Sequence, residues 1–204
     1  MTKIGFIDDE DTNYRDYAKR LRRYDIELYL YEGESSAEKI IDWIIENDLL
    51  CVLVDFDLSK KYSHNGTDLV FAINQVLPDF PCIMLTNYPE QSKNEKLVPY
   101  RLIWDREKMN EADLSEVVTP IKEEIEVFLK RKDAIYAEYA ALLEKRRQAS
   151  LSVVEEERFC QLHTIFSRYG ETDDIPAQLL SSDTNAKLDK LIESMSKLLE
   201  KEGK

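Results

Sequence analysis

The sequence predicts an α/β protein: an open, five-stranded parallel sheet with helices on both faces, followed by an all-α C-terminal extension. Three observations carry this expectation. Short apolar runs alternate with helical patterns five times through the first 130 residues, and a doubly wound sheet is the common solution to that alternation. The run LLCVLVD at 49–55 is apolar without interruption, as a strand covered on both faces requires. Beyond about residue 120 the apolar residues follow a helical 4-3 spacing, with no further strand signal.

Each element has its own local reason. KIGFID at 3–8 reads as the first strand. A helix from about Thr12 follows, with Tyr14, Tyr17, Ala18 and Leu21 on one face. IELYLY at 26–31 alternates as a strand. Ser35 or Ser36 is placed to cap a helix whose apolar face is Ile40, Ile41, Ile44 and Ile45. After the strand at 49–55, a helix at 67–77 follows Gly66. Then come a strand PCIMLT at 81–86, a short polar helix near 90–97, a strand RLIW at 101–104 and a helix from about Asp113. These elements make up an expected first domain, 1–130.

The expected extension, 131–204, opens with a continuation of that last helix. Ile121, Ile125, Phe128, Ile135, Tyr139 and Leu142 share its apolar face, which Lys132 interrupts where an apolar residue is due. Ser152 and Glu155 form a capping box for a second helix carrying Phe159, Leu162, Phe166 and Tyr169. Leu188, Ile192, Met195 and Leu199 mark a third. A bundle that hides its own apolar faces and a surface that docks a partner both fit this pattern. His163 reads as a structural helix histidine.

Composition narrows the function classes. With 43% hydrophobic residues but only 5 Gly and 6 Pro in 204, the chain is element-rich and globular. The formal charge of −13 opposes nucleic-acid binding, which needs a net basic face. The basic clusters at 19–23, 130–132 and 144–147 are diluted by neighbouring acids and read as solvated helix faces. No run approaches the roughly 20 apolar residues that span a bilayer. The start, MTKIGFIDDED, turns acidic too early for a signal peptide. Three cysteines, two of them in apolar runs, suit free thiols of a reducing compartment, so the expected location is cytoplasmic.

The chemistry of a doubly wound sheet lies at the carboxyl ends of its strands. Asp8, Asp9, Asp55, Thr86 and Asp105 all fall there. Carboxylates converging at strand ends need a cation, and hard oxygen ligands suit Mg²⁺. The backbone carbonyl of Asp57 is within reach of an ion on Asp55, and Thr86 offers a hydroxyl to an anion placed there.

Two families carry a reactive aspartate in such a position. DFDLS at 55–59 matches the DxDx[ST] motif of haloacid dehalogenase phosphatases, and CIMLT matches their second motif. That family, however, places its acidic pair last, whereas IDDED stands first here, and no cap domain fits between Asp55 and Thr86. The order acidic pair, VDFDL, MLT instead resembles the receiver domain of two-component response regulators. The resemblance runs through residues 1 to about 130 and implies a flavodoxin-like sheet of order 2-1-3-4-5. It implies Asp8 and Asp9 as the metal-binding pair, Asp55 as phosphoacceptor and Asp57 as a main-chain metal ligand. It further implies Thr86 as the phosphoryl hydrogen-bond donor and Gly66 as the glycine after the acceptor loop.

The departures are as informative. The family's lysine at the end of the fifth strand falls here on Asp105-Arg106, in LIWDREKM. An aspartate cannot pair with phosphoryl oxygens, which leaves Arg106 or Lys108 of the following loop as the candidate cations. Leu102 holds the switch-aromatic position, and Asn87 follows the threonine. The resulting expectation is not an enzyme. It is a receiver that takes a phosphoryl group on Asp55 from a histidine kinase or phosphotransfer protein, with Mg²⁺. It would act by protein contacts, as relay, adaptor or phosphate sink, with the helical extension self-associating or docking an effector. The alternative is a pseudo-receiver that is never phosphorylated.

Overall fold

A computed structural model of the chain describes residues 1–10, 12–62 and 64–172. The five strands are β1 (Thr2–Ile7), β2 (Ile26–Leu30), β3 (Val52–Val54), β4 (Cys82–Thr86) and β5 (Ile103–Asp105). They form one sheet in the order β2-β1-β3-β4-β5, every neighbouring pair parallel. Two registers level the carboxyl ends in pairs, Ile7 facing Val54 and Thr86 facing Asp105, while Val54 faces Met84, so β4 and β5 run two residues further. That levelling creates a site from residues distant in sequence.

The helices are α1 (Tyr14–Leu21), α2 (Ala37–Glu46), α3 (Gly66–Val76), α4 (Pro89–Glu95), α5 (Ser115–Gln148) and α6 (Val153–Arg168). Contacts divide the chain into two compact units, Met1–Arg131 and a second that begins at Lys132. In the first unit, Ile4, Phe6, Leu28, Leu53, Ile83, Leu85 and Trp104 project from one sheet face. They form a single core with Tyr17 and Leu21 of α1 and Val117, Val118, Ile121 and Ile125 of α5. On the opposite face a Cβ added to Gly5 would lie 2.8 Å from the Trp43 ring of α2, so β1 and α2 meet there at backbone distance.

Local chemistry accounts for the element ends. Asn65 caps α3, its side chain accepting from Asp68 N–H at 2.9 Å. Asp113 accepts from Ser115 N–H at 3.0 Å at the start of α5, and from Tyr24 Oη at 2.9 Å. Ser36 stands at the start of α2 but makes no side-chain cap bond. Two expected strands are shorter than their apolar runs. LLCVLVD is paired as strand only over Val52–Val54. In RLIW, Arg101 and Leu102 belong to a 3-10 turn closed by Leu102 N–H donating to Pro99 O at 2.8 Å, and β5 begins at Ile103. Proline fixes the φ of that turn, which holds Leu102 out of the strand although Ile83 of β4 lies beside it, and pairing starts at Ile103 opposite Met84.

The second unit contains the expected capping box: Ser152 Oγ accepts from Glu155 N–H while the Glu155 carboxylate accepts from Ser152 N–H. Tyr139, Phe159, Leu162 and Phe166 form its buried core, the Tyr139 and Phe159 rings stacked at 5.2 Å. His163 Nδ1 lies 2.9 Å from Tyr139 Oη and is buried, consistent with a structural histidine. Lys132 breaks the apolar row because its ammonium pairs with Glu171 and lies over the Tyr169 ring. The third expected helix lies outside the described residues. Among the described residues no helix is long and apolar enough to cross a membrane.

Candidate acidic site at the sheet edge

Asp8 and Asp9 follow β1 directly, and Asp55 follows β3. Because the strands are parallel and level, the three carboxylates converge: one oxygen from each lies within 4.8 Å of the others, and all three residues are buried. Local bonds aim them. Asp8 Oδ1 accepts from Glu10 N–H at 2.8 Å, and Asp55 Oδ1 from Phe56 N–H at 2.8 Å. Asp9 Oδ2 accepts from Lys60 N–H at 2.9 Å, which ties the loop after β3 back to the end of β1. Asp57 is exposed and turned outward, its carboxylate accepting from Ser59 N–H at 3.1 Å. Any role in the pocket therefore falls to its backbone.

Gly66 sets the far wall. A Cβ at this position would stand 1.8 Å from the Asp55 carbonyl oxygen, so no other residue lets α3 begin so close to the end of β3. Gly66 N–H donates to Phe56 O at 2.9 Å and closes the loop. Thr86, fully buried at the end of β4, accepts Tyr88 N–H at 3.1 Å through Oγ. Its own proton is directed to the Asp55 carboxylate, an interaction that favours the ionised form of that group.

The end of β5 departs from the simple carry-over. Asp105 turns its side chain into a cap, accepting from Glu107 N–H at 2.9 Å at the head of a 3-10 turn over Arg106–Asn110. The next residue enters the pocket instead. Arg106 is 7% exposed, and its Nη2 lies 2.9 Å from Asp8 Oδ2 and 3.1 Å from Asp55 Oδ1. The same nitrogen donates to Leu85 O at 3.3 Å. Sequence reading named Arg106 only beside Lys108 as a cation in reach. Strand alternation carried the missing signal: Trp104 lies on the core face with α1 and α5, which puts 106, not 105, on that face.

The electrostatics follow from this packing. Burial is the largest influence on Asp55 and pushes its carboxyl up to about 6. Arg106 pulls it down, the Asp8 charge pushes it up, and the bonds from Phe56 N–H and Thr86 lower it. Asp8 is also raised, first by burial and then by the Asp9 charge, with Arg106 and Lys61 opposing. Arg106 thus pairs with two of the three carboxylates, Asp8 and Asp55, and Lys61 adds a weaker opposing charge at Asp8.

The residues present fit a divalent cation. The donors are hard carboxylate oxygens from two strand ends, as Mg²⁺ prefers. Asp8 Oδ2 is buried with the Arg106 guanidinium, at 2.9 Å, as its one neighbouring donor, so a lone pair remains for a ligand.

No protein-family model matches the sequence, and no curated protein matches it. Solved structures do resemble it. One is the signal receiver domain of an HD-domain-containing protein from Pseudomonas fluorescens Pf-5, at TM-score 0.51 and 14% identity, covering 65% of this chain and 92% of that one. Another is a two-component transcriptional regulator AraC from Clostridium phytofermentans ISDg, at TM-score 0.50 and 17% identity, covering 65% and 98%. A sensor protein from Polaromonas sp. JS666 matches at TM-score 0.50 and 14% identity, covering 62% and 98%. Identities this low speak to architecture alone, and the architecture agrees with the strand order: the chain carries the response-regulator receiver fold, followed by helical structure.

Proposed function

We propose that this chain is a two-component receiver that accepts a phosphoryl group on Asp55 and acts through protein contacts. The observation that carries this reading is the convergence of Asp8, Asp9 and Asp55 at the sheet edge, with the Thr86 hydroxyl alongside. The donor is a phosphohistidine of a histidine kinase or phosphotransfer protein. An Asp55 oxygen attacks phosphorus, the P–N bond breaks, and the imidazole leaves with the bonding pair and takes up a proton from solvent. With its carboxyl at about 6, Asp55 is mostly ionised at neutral pH and needs no separate base. Asp8, Asp9, Asp55 and the backbone carbonyl of Asp57 would hold Mg²⁺. When bound, the ion neutralises phosphoryl oxygens in a reaction that depends on positioning and charge compensation. Thr86 gives its proton to a phosphoryl oxygen. The site is a phosphoacceptor rather than an enzyme active site.

A charge of −13 supports an output by protein contact in place of nucleic acid or membrane. In the second unit Val153 and Val154 are 83% and 75% exposed, apolar surface suited to an effector or a second copy of the chain. Cys51, Cys82 and Cys160 are not joined in a disulfide, which supports a cytoplasmic location. The proposed domain division, 1–130 and 131–204, assigns the acceptor chemistry to the first part and the contacts to the second.

One observation favours a second reading, a pseudo-receiver never phosphorylated: Arg106 already partners Asp8 and Asp55. Incubation with acetyl phosphate and Mg²⁺, read by intact mass, separates the two. The receiver reading expects a single added phosphate that Asp55→Asn abolishes. A chain that stays unlabelled with acetyl phosphate and with phosphorylated kinases is a pseudo-receiver.

A further inference from the structure

The guanidinium of Arg106 is anchored on one side only. Its Nη2 makes all three of the contacts described above, to Asp8, Asp55 and Leu85 O. Its Nε is buried with no hydrogen-bond partner. An unmatched buried donor on a cation is costly to leave unfilled. This one belongs to a side chain inserted between the two carboxylates that a metal needs. The pocket therefore holds two buried polar atoms with capacity left for a ligand: Asp8 Oδ2, which suits a cation, and Arg106 Nε, which suits an anion.

We propose that Arg106 is a resident counter-cation of the acidic site: it competes with the divalent ion for Asp8 and Asp55, and it turns its unpaired edge to the phosphoryl group once Asp55 carries one. The second half rests on the receiver reading above; the first does not. The competition follows from the shared atoms. A metal held by Asp8, Asp9 and Asp55 draws on carboxylate charge that Arg106 already neutralises, so binding must weaken at least one of its two ion pairs. Arg106 thereby supplies from the residue after β5 what Asp105 cannot, since the Asp105 side chain is committed to capping the turn. A planar fork serves this exchange better than a point charge. It offers several donors in fixed geometry, so it can shift from carboxylate to phosphoryl oxygens without leaving the pocket.

The test is a Mg²⁺ titration of the full chain, followed by tryptophan fluorescence and by isothermal calorimetry, with no phosphoryl donor present. Arg106→Met keeps an apolar stem and removes the charge; it should bind Mg²⁺ at least tenfold more tightly than wild type. It should also melt at a lower temperature than wild type in EDTA, with Mg²⁺ recovering most of the difference. Arg106→Lys keeps a charge on a shorter side chain without the fork and should fall between the two in affinity. That second variant carries the comparison if Arg106→Met does not fold. Mg²⁺ affinity unchanged or weakened in the variants, or Mg²⁺ binding by none of the three proteins, overturns the competition. The phosphoryl half is read from acetyl phosphate labelling. Arg106→Met should be labelled on Asp55 yet lose the acyl phosphate at least tenfold faster or slower than wild type. An unchanged lifetime refutes that half. If wild type is never labelled while Arg106→Met still tightens Mg²⁺, the receiver reading fails and the counter-cation role stands.

Discussion

The ends of β3 and β5 border the same pocket, yet they deliver their functional side chains in different ways. β3 ends in an apolar run, and its next residue, Asp55, enters the site directly. β5 ends in Asp105, whose carboxylate turns out to cap a 3-10 turn, and the site receives Arg106 from inside that turn. The lesson is that a strand end does not determine by itself which residue reaches a site. Side-chain alternation and the turn that follows select it, and a shift of one position exchanges an acid for a base.

One of the two largest expected effects lies at the β3 end. Gly66→Ala places a methyl 1.8 Å from the Asp55 carbonyl oxygen, and backbone cannot yield as a flexible side chain can. The cost should reach about 3 kcal/mol or more in urea unfolding, beyond ordinary overpacking. A loss well below 1 kcal/mol would show that the loop from Asp55 to Gly66 is not held as described.

At the β5 end the two neighbours should separate sharply. Arg106→Met, without divalent ions, leaves Asp8 and Asp55 buried without their ion-pair partner and should cost about 3–5 kcal/mol, as breaking a buried ion pair does. Asp105→Ala removes only a cap bond and should cost about 1 kcal/mol. Urea unfolding of both variants in EDTA checks the order, and equal losses would erase the distinction between the two residues.

A smaller effect is a pH dependence. Asp55 is raised in the folded state from the ordinary carboxylate value of 3.8 to about 6. The folded chain therefore holds this proton more tightly than the unfolded chain does. Its favourable contribution is fully present below about 4 and is lost as pH rises through about 6. Asp55→Asn should remove that share of the slope, measured as the difference between the two stability profiles over pH 4–7. Mg²⁺ should bind more weakly below about pH 6, where Asp55 must first give up its proton.

Much of this was legible from residue patterns. The unbroken apolar run at 51–54 marked a doubly covered strand, and the strand ends IDD, VD and MLT marked the site, because both signals are local. The beginning of β5 was not legible. Leu102 is apolar and resembles a strand residue, but its N–H is taken by Pro99 O in a 3-10 turn, and pairing begins at Ile103. The direction of Asp105 was hidden for a related reason. Its carboxylate is held by Glu107 N–H, a bond that exists only once the 3-10 turn has formed. Lys132 illustrates the same limit in the second unit. Its break in the apolar row is explained by Glu171 and Tyr169, distant in sequence.

The central claim is that Asp55 carries the phosphoryl group, and a chemical trap tests it most directly. An acyl phosphate on an aspartate is reduced by borohydride to an alcohol, which leaves a permanent mark on the side chain that bore it. The wild-type chain, treated with acetyl phosphate and Mg²⁺, reduced and digested, should show that mark by tandem mass spectrometry at residue 55 alone. The mark at Asp8, Asp9 or Asp57 in its place, or an unmodified chain under every donor, would contradict the account.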